Sequence, residues 1–251
     1  MSWSSRKKSK YILTVIFIIL AFLVSAIFFI LYDPPTCQDN IQNQEEDGID
    51  CGGPCLTVCG FEIINPIIHW GRVSKMMEEF YSVTALIENP NVSAEAYSVP
   101  YIFKLYDDEG LLVSEYIGET FIPANKTFPI FSGTINVGNR IPTKTVFEFT
   151  EKPNWLETAP GPEISIESIQ YFEKNNLPRV SATISNDSVR DIKDIEVVVL
   201  LLDAQDNLIN SSKTFLDLIK KNSSEQVIFT WPAIFDREVI KVDIFPVSKI
   251  K

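Results

Sequence analysis

The residues of this chain best equipped for chemistry stand together between Cys37 and Cys59. Cys37, Cys51, Cys55 and Cys59 are its only cysteines, separated by 13, then 3, then 3 residues. Thiols packed this densely either bind metal or oxidise in pairs. Structural zinc sites commonly present Cys-x2-Cys pairs, and this spacing offers none. An even, clustered set reads instead as two disulfides in an oxidising compartment, with three connectivities open. Asp39, Asn43, Glu46 and Asp50 are interleaved with the cysteines. They supply the hard oxygen atoms that calcium takes, so a structural calcium ion is the cofactor this segment invites. The competing expectation is that these side chains cap turns and face water.

Elsewhere the residue types argue against catalysis. His69 is the only histidine and stands beside Trp70. A serine or cysteine nucleophile relying on an imidazole base therefore has a single candidate partner. No serine sits in a Gly-x-Ser-x-Gly elbow, and no phosphate-binding glycine loop is present. The acid pairs Asp107/Asp108 and Asp191/Asp194 fall at expected turns or strand starts, where solvated carboxylates are ordinary. The expectation is a non-enzyme with no small-molecule substrate. Asn91, Asn125, Asn186, Asn210 and Asn222 each begin an Asn-x-Ser/Thr sequon near an expected turn, and are candidate glycosylation acceptors on an exported chain.

The element that decides the compartment comes first. Arg6, Lys7, Lys8 and Lys10 lead into Tyr11–Tyr32, a run of 22 residues without a charge. At ~1.5 Å per residue it makes ~33 Å of helix, enough to cross a ~30 Å hydrocarbon core. Lysine and arginine stay on the cytoplasmic face. The expected order is a cytoplasmic basic tail (1–10), a single transmembrane signal-anchor helix (11–32), and everything beyond in an extracellular or periplasmic space. Tyr11 and Tyr32 suit the two interfacial levels. A cleaved signal peptide fits less well, because its apolar core is usually ~7–15 residues and ends at a small-x-small site. Here the exit reads Phe28-Phe-Ile-Leu-Tyr-Asp-Pro-Pro35. All 33 acidic residues but only 18 of the 22 basic ones lie beyond the run, giving 18 − 33 = −15 outside. Such a surface repels phosphate backbones, so nucleic acid is not an expected partner.

From Phe61 onward, β-branched and aromatic runs alternate with turn signals. The strongest expected strands are Phe80–Ile87, Tyr101–Tyr106, Leu111–Tyr116, Lys144–Phe149, Arg179–Ile184, Ile192–Leu202, Glu225–Trp231 and Val239–Phe245. The pattern repeats at a shift of about 97 residues: Ala85-Leu-Ile-Glu-Asn matches Ala182-Thr-Ile-Ser-Asn, and Thr120-Phe121 matches Thr214-Phe215. The expected organisation is a Cys-rich segment (33–60), a first β-module (61–152), a Pro-rich linker (153–162) and a second β-module (163–251). The linker's prolines disfavour regular structure, and its length permits either a hinge or a packed interface.

Two stretches carry resemblances. Cys37 to Cys55, through Asp39, Asn43, Glu46, Gly48, Asp50, Cys51, Gly52 and Gly53, resembles a short motif of bacterial and archaeal secreted proteins, with Asn40 and Gln44 at positions where glycine is usual. Asparagine tolerates positive φ and glutamine does so poorly, so the second turn is expected to be altered. Phe103-Lys-Leu-Tyr-Asp107 resembles the motif that names the FxLYD domain, an Ig-like β-sandwich of bacterial and archaeal envelope proteins. Asn89-Pro-Asn91 is similar to the turn of a related water-stress and hypersensitive-response sandwich family, which is often tethered by one membrane helix. The second module departs from both, with Val199, Leu201 and Leu202 at the Phe, Leu and Tyr positions and Asn186-Asp-Ser at the turn. The resemblance implies a mainly β chain of two tandem Ig-like, FxLYD-type antiparallel sandwiches. On a strand, Phe103 and Leu105 would point together into the core, Asp107 would open the turn, and Gly110 would take the left-handed position. Asp203 and Asn207 would do the same two jobs in the second copy.

The functional expectation is a non-catalytic, single-pass envelope protein that displays two sandwiches to a protein partner. The alternatives are an accessory subunit of a secretion, pilus or cell-wall complex, and a stress-protective structural protein.

Overall fold

A computed structural model describes residues 3–31, 36–60, 63–159 and 161–248, with helical side chains described from 12 to 27. The chain divides into two compact units, Met1–Cys55 and Leu56–Lys251. Both sheet-bearing modules belong to the second.

The first unit opens with helix α1 (Trp3–Leu31). Leucine, isoleucine and phenylalanine dominate its described face-round surface, and Phe17 and Phe22 are each about three-quarters exposed. Among the described residues no helix is long and apolar enough to cross a membrane. The side chains of Arg6, Lys7, Lys8, Lys10 and Tyr11, together with Tyr32 and Asp33, lie outside the described residues.

In the second unit, β1 (Ile67–Met77), β2 (Phe80–Asn89) and β5 (Lys126–Asn136) make an antiparallel sheet in the order β1-β2-β5. Facing it are β3 (Ala94–Tyr106), β4 (Leu112–Ile122) and β6 (Lys144–Phe149), ordered β4-β3-β6, with β7 (Trp155–Glu157) paired to the start of β3. The same layout recurs. Strands β8 (Ile164–Lys174), β9 (Leu177–Asn186) and β12 (Ser223–Thr230) form β12-β9-β8, while β10 (Ile192–Leu202), β11 (Leu208–Ile219) and β13 (Lys241–Ser248) form β11-β10-β13. Ile67 and Ile164, Phe80 and Leu177, Asn89 and Asn186, and Lys126 and Ser223 bound equivalent strands, each pair separated by 97 residues (164 − 67 = 97). The chain is therefore mainly β, with four antiparallel sheets.

Period-two alternation builds the cores. Val83, Ala85 and Ile87 of β2 face Val99, Tyr101, Phe103 and Leu105 of β3, all buried. In the second module Val180, Ala182 and Ile184 face Val197, Val199 and Leu201. Phe103 and Leu105 thus share the core face, as the motif implies.

The two modules are packed against each other rather than hinged. Strand β10 is apolar from Val197 to Leu202, a continuous run suited to burial on both faces. Its second face presents Val198, Leu200 and Leu202 to Trp70, Leu86 and Phe131 of the first module. Side chains of this size stabilise by about 1.5–3 kcal/mol each when fully buried. Polar ties cross the same seam. The Thr84 and Ser211 hydroxyls lie 2.7 Å apart and buried, and the Asn210 side-chain amide donates to the Lys75 carbonyl at 3.0 Å. Arg72 donates to the Asp206 carbonyl at 2.9 Å while its guanidinium sits 4.7 Å above the Trp70 ring.

The join corrects the expected linker. Trp155–Glu157 is strand β7, paired to Ala94–Ala96, and Trp155 is buried in the first core. Prolines bar a helix but allow a short edge strand. Leu56 accepts the Glu157 amide and Val58 donates to Trp155, so residues 56–58 also belong to the first module. Pro160 of the join lies outside the described residues.

Candidate functional site

The Cys-rich loop is built by its own side chains. Cys37 and Cys55 are joined in a disulfide, Cys51 and Cys59 are likewise disulfide-bonded, and no cysteine is free. Asp50 accepts the backbone amides of Asp39 and Asn40. Glu46, buried, accepts those of Asn43 and Asp50. Asp39 accepts the amides of Thr36 and Ile41 and the side chain of Asn43. The Thr36 amide, then the Asn43 side chain, hold the Asp39 carboxyl below its usual range. The four residues expected as calcium ligands are thus brought into one loop; the carboxylates of Asp39, Glu46 and Asp50 are engaged in closing its turns, while the Asn43 side-chain oxygen is buried without a hydrogen-bond partner. Among the described residues, the one group of metal-ligating atoms gathered within 4.8 Å is Cys37, Glu46 and Cys55. Its sulfurs are spent in a disulfide and are not thiolates. Glu46 Oε1 lies 3.0 Å from Cys55 Sγ, a carboxylate–sulfur contact in which the sulfur has no proton to donate.

Gln44 adopts φ 50° and Asn40 φ 60°, so both hold the left-handed backbone that glycine takes most readily. The disulfides and carboxylate–amide bonds hold Gln44 there against its own preference.

The turns following β3 and β10 are a matched pair. Asp107 Oδ1 accepts the Leu111 amide at 2.8 Å, and Asp203 Oδ1 accepts the Asn207 amide at 2.9 Å. Arg140 reaches Asp107 at 3.5 Å and Arg237 reaches Asp203 at 2.7 Å. Gly110 supplies the left-handed residue at φ 79°; its counterpart is Asp206 at φ 56° rather than Asn207. Asn207 instead donates to Asp203, and Asp206 is tolerated because aspartate is among the residues that visit this region.

His69 is exposed, and its Nε2 lies 2.9 Å from Glu88 Oε2 across β1 and β2 at the sheet edge. Asp191 accepts the Lys221 amide at 2.9 Å.

Burial divides the sequons. Asn186 and Asn210 are 0% and 2% exposed and Asn91 is 8%. Their side-chain amides donate inward, Asn91 to Ile64, Asn186 to Arg190 and Ile219, and Asn210 to Lys75. These three were expected near accessible turns and are instead core polar groups, because an Asx side chain can close a turn from inside as well as from outside. Asn125 and Asn222 are exposed, at φ 49° and 51°.

Two surface features escape the sequence reading. Strand β8 is an edge strand of 11 residues whose second half is exposed, with Ile169, Tyr171 and Phe172 between 37% and 42% accessible. Adjacent aromatics at 171 and 172 force at least one outward, which is the available sequence signal. A groove of about 270 Å³ opens between the modules, lined by Tyr101, Phe121, Phe131, Phe215, Glu196 and Lys213 among others. Lys213 there lies 3.3 Å from Glu196 and 5.4 Å over the Phe215 ring. No protein-family model matches the chain, and no curated protein matches it.

Proposed function

We propose that this chain is a non-catalytic, single-pass membrane-anchored envelope protein. Its two FxLYD-type, Ig-like sandwiches act outside the membrane as one rigid interaction module. The observation that carries the interaction reading is strand β8, 11 residues long and unpaired on one side, which exposes Ile169, Tyr171 and Phe172 among Glu167, Glu173 and Lys174. An unpaired edge is a template for a partner strand, and exposed aromatics add an apolar contact to the main-chain pairing. Rigid docking of the modules favours display over flexible tethering, since the seam fixes both sandwiches as a unit.

The anchor is supported by the uncharged run Tyr11–Tyr32, by the basic residues before it, and by the exposure of apolar side chains along α1, which water alone does not stabilise. Disulfide-bonded cysteines fit an oxidising space beyond it. An accessory role in a secretion, pilus or cell-wall complex is the same reading with the partner in the membrane.

The test places a photo-crosslinking residue at Phe172 in the full-length protein in its native membrane, with a second at exposed Val189, in the loop between β9 and β10, as control. A discrete protein adduct from position 172, absent at 189, is expected. Protease added to intact cells should degrade residues 36–248 while the N-terminal tail stays protected. Equal labelling at both positions would remove the edge-strand reading, and protection of the modules would remove the topology.

A further inference from the structure

We infer that Asn125 and Asn222 are the N-glycosylation sites of this chain and that its other three sequons are silent. The inference rests on the export of the modules proposed above. Five sequons are written in the sequence, and local motif gives no ground to choose among them. The fold does. A glycan replaces one hydrogen of the asparagine amide and needs open space beyond Nδ2. At Asn186 the Nδ2 group donates to two carbonyls, those of Arg190 and Ile219, at 2.8 and 3.1 Å. At Asn91 it donates to the Ile64 carbonyl and the Asn89 side chain at 2.7 and 2.8 Å. At Asn210 it donates to Lys75 across the seam between modules. A sugar on Asn91 or Asn186 would break a hydrogen bond, since both amide hydrogens are engaged there, and on Asn210, 2% exposed at the seam, it would find no room, so a chain modified at any of the three cannot reach this fold.

Asn125 and Asn222 are different in kind and alike in place. Each is exposed, and each stands one residue before the strand that follows its turn, β5 after Asn125 and β12 after Asn222. The residues two positions on, Thr127 and Ser224, are exposed as well. Both turns are held from inside by the buried asparagine that ends the second strand of each module: Asn89 donates to the Pro123 carbonyl and Asn186 to that of Ile219. The Asn125 amide further donates to the Asn91 carbonyl at 2.9 Å. The result is one rigidly presented acceptor per module, at equivalent positions.

The transfer is conventional in its balance. Nδ2 bonds to the anomeric carbon of a lipid-phosphate-linked oligosaccharide, the anomeric carbon–oxygen bond breaks, the lipid phosphate leaves with the electron pair, and one amide proton passes to base. The donor and the oligosaccharyltransferase belong to the exported compartment.

The experiment is peptide mass spectrometry on the full-length protein purified from its native membrane, beside Asn125→Gln and Asn222→Gln variants. Glycan-mass shifts are expected on the peptides carrying Asn125 and Asn222, with none on those carrying Asn91, Asn186 or Asn210. Each variant should remove one step in gel mobility, and the double variant should run near the 28.5 kDa of the bare chain. Unmodified Asn125 and Asn222 in protein that external protease can cleave would overturn the inference while leaving export standing. Protein that protease cannot reach would sink export and this inference together, and modification at Asn91, Asn186 or Asn210 would overturn the selection by burial.

Discussion

Asn89 and Asn186 do the same work in the two modules. Each ends the second strand of its module, each is at most 1% exposed, and each donates both amide hydrogens to carbonyls of neighbouring turns, Ala94 and Pro123 for Asn89, Arg190 and Ile219 for Asn186. Each also accepts from the residue two positions on, Asn91 and Ser188. The Asn-Pro-Asn of the first copy and the Asn-Asp-Ser of the second are thus two spellings of one internal clasp. Replacing Asn89 by alanine strands two buried carbonyls, whereas Asn186→Ala strands one, because the exposed Arg190 carbonyl still accepts from the Ser188 hydroxyl. A loss of about 2–4 kcal/mol is expected at Asn89 and about 1–3 kcal/mol at Asn186, from about 1–3 kcal/mol per unsatisfied group with some relaxation. Thermal unfolding of the single variants measures it, and a negligible loss at either position would remove the clasp.

The seam predicts cooperative unfolding of both modules. Leu200 faces Trp70 and Leu86 of the other module and not its own core, so Leu200→Asp should leave each module foldable while burying a charge where they dock. Calorimetry is expected to show one transition in the wild type and two in the variant. The Thr84–Ser211 pair gives a finer check. Thr84→Val should cost about 1–3 kcal/mol by stranding the Ser211 hydroxyl, and Thr84→Val with Ser211→Ala should cost less than the sum of the singles.

How far the sequence could be read depends on what each residue answers to. Phe103 and Leu105 are local: alternation on one strand put them in the core, and they are there. Asp107 and Asp203 are local as well, since an aspartate opening a turn acts within four residues. The repeat could be seen because equivalent strands answer to the same two-sheet packing. What could not be seen depends on distant partners. Val198, Leu200 and Leu202 read as strand residues, but nothing in β10 names Trp70 or Phe131 as what covers them. Strands β1 and β8 lie at sheet edges with much of their surface exposed, so they lack the alternation that reveals a half-buried strand. Pro129 hides β5 in the same way, although an edge position tolerates it. The loop carboxylates were legible as oxygen donors, whereas their engagement with amides of the same loop needed the backbone path.

Asp203 gives the second module an acid-dependent share of its stability. Burial raises its pKa, but the Asn207 and Gln205 amides, with the Asn207 side chain and the Arg237 guanidinium, outweigh burial and hold the carboxyl below its ordinary 3.8. A carboxyl that binds its proton more weakly when folded stabilises the fold fully above about 3.8, and that contribution fades as pH falls through the lowered folded value. Asp203→Asn should therefore lower Tm at pH 7, and the gap from wild type should narrow as pH is taken below 3.8. A gap that stays constant down to pH 2 would place the effect in shape and not in charge.

Gln44 and Gly53 should respond in opposite directions to substitution in the Cys-rich loop. Gln44 is held at φ 50°, where a residue with a Cβ costs about 1–2 kcal/mol, so Gln44→Gly relieves strain while giving back part of it as chain entropy. Gly53 stands at φ 55°, and a Cβ there would run into the Glu45 carbonyl, which is backbone and cannot swing aside. Gly53→Ala therefore forces the loop open next to the Cys37–Cys55 disulfide. Alkylation of the full-length protein across a dithiothreitol series reads both. Gln44→Gly should raise the reductant needed to expose Cys37 and Cys55, and Gly53→Ala should lower it. A drop for Gln44→Gly would mean that the glutamine side chain contributes more to the loop than its backbone takes away.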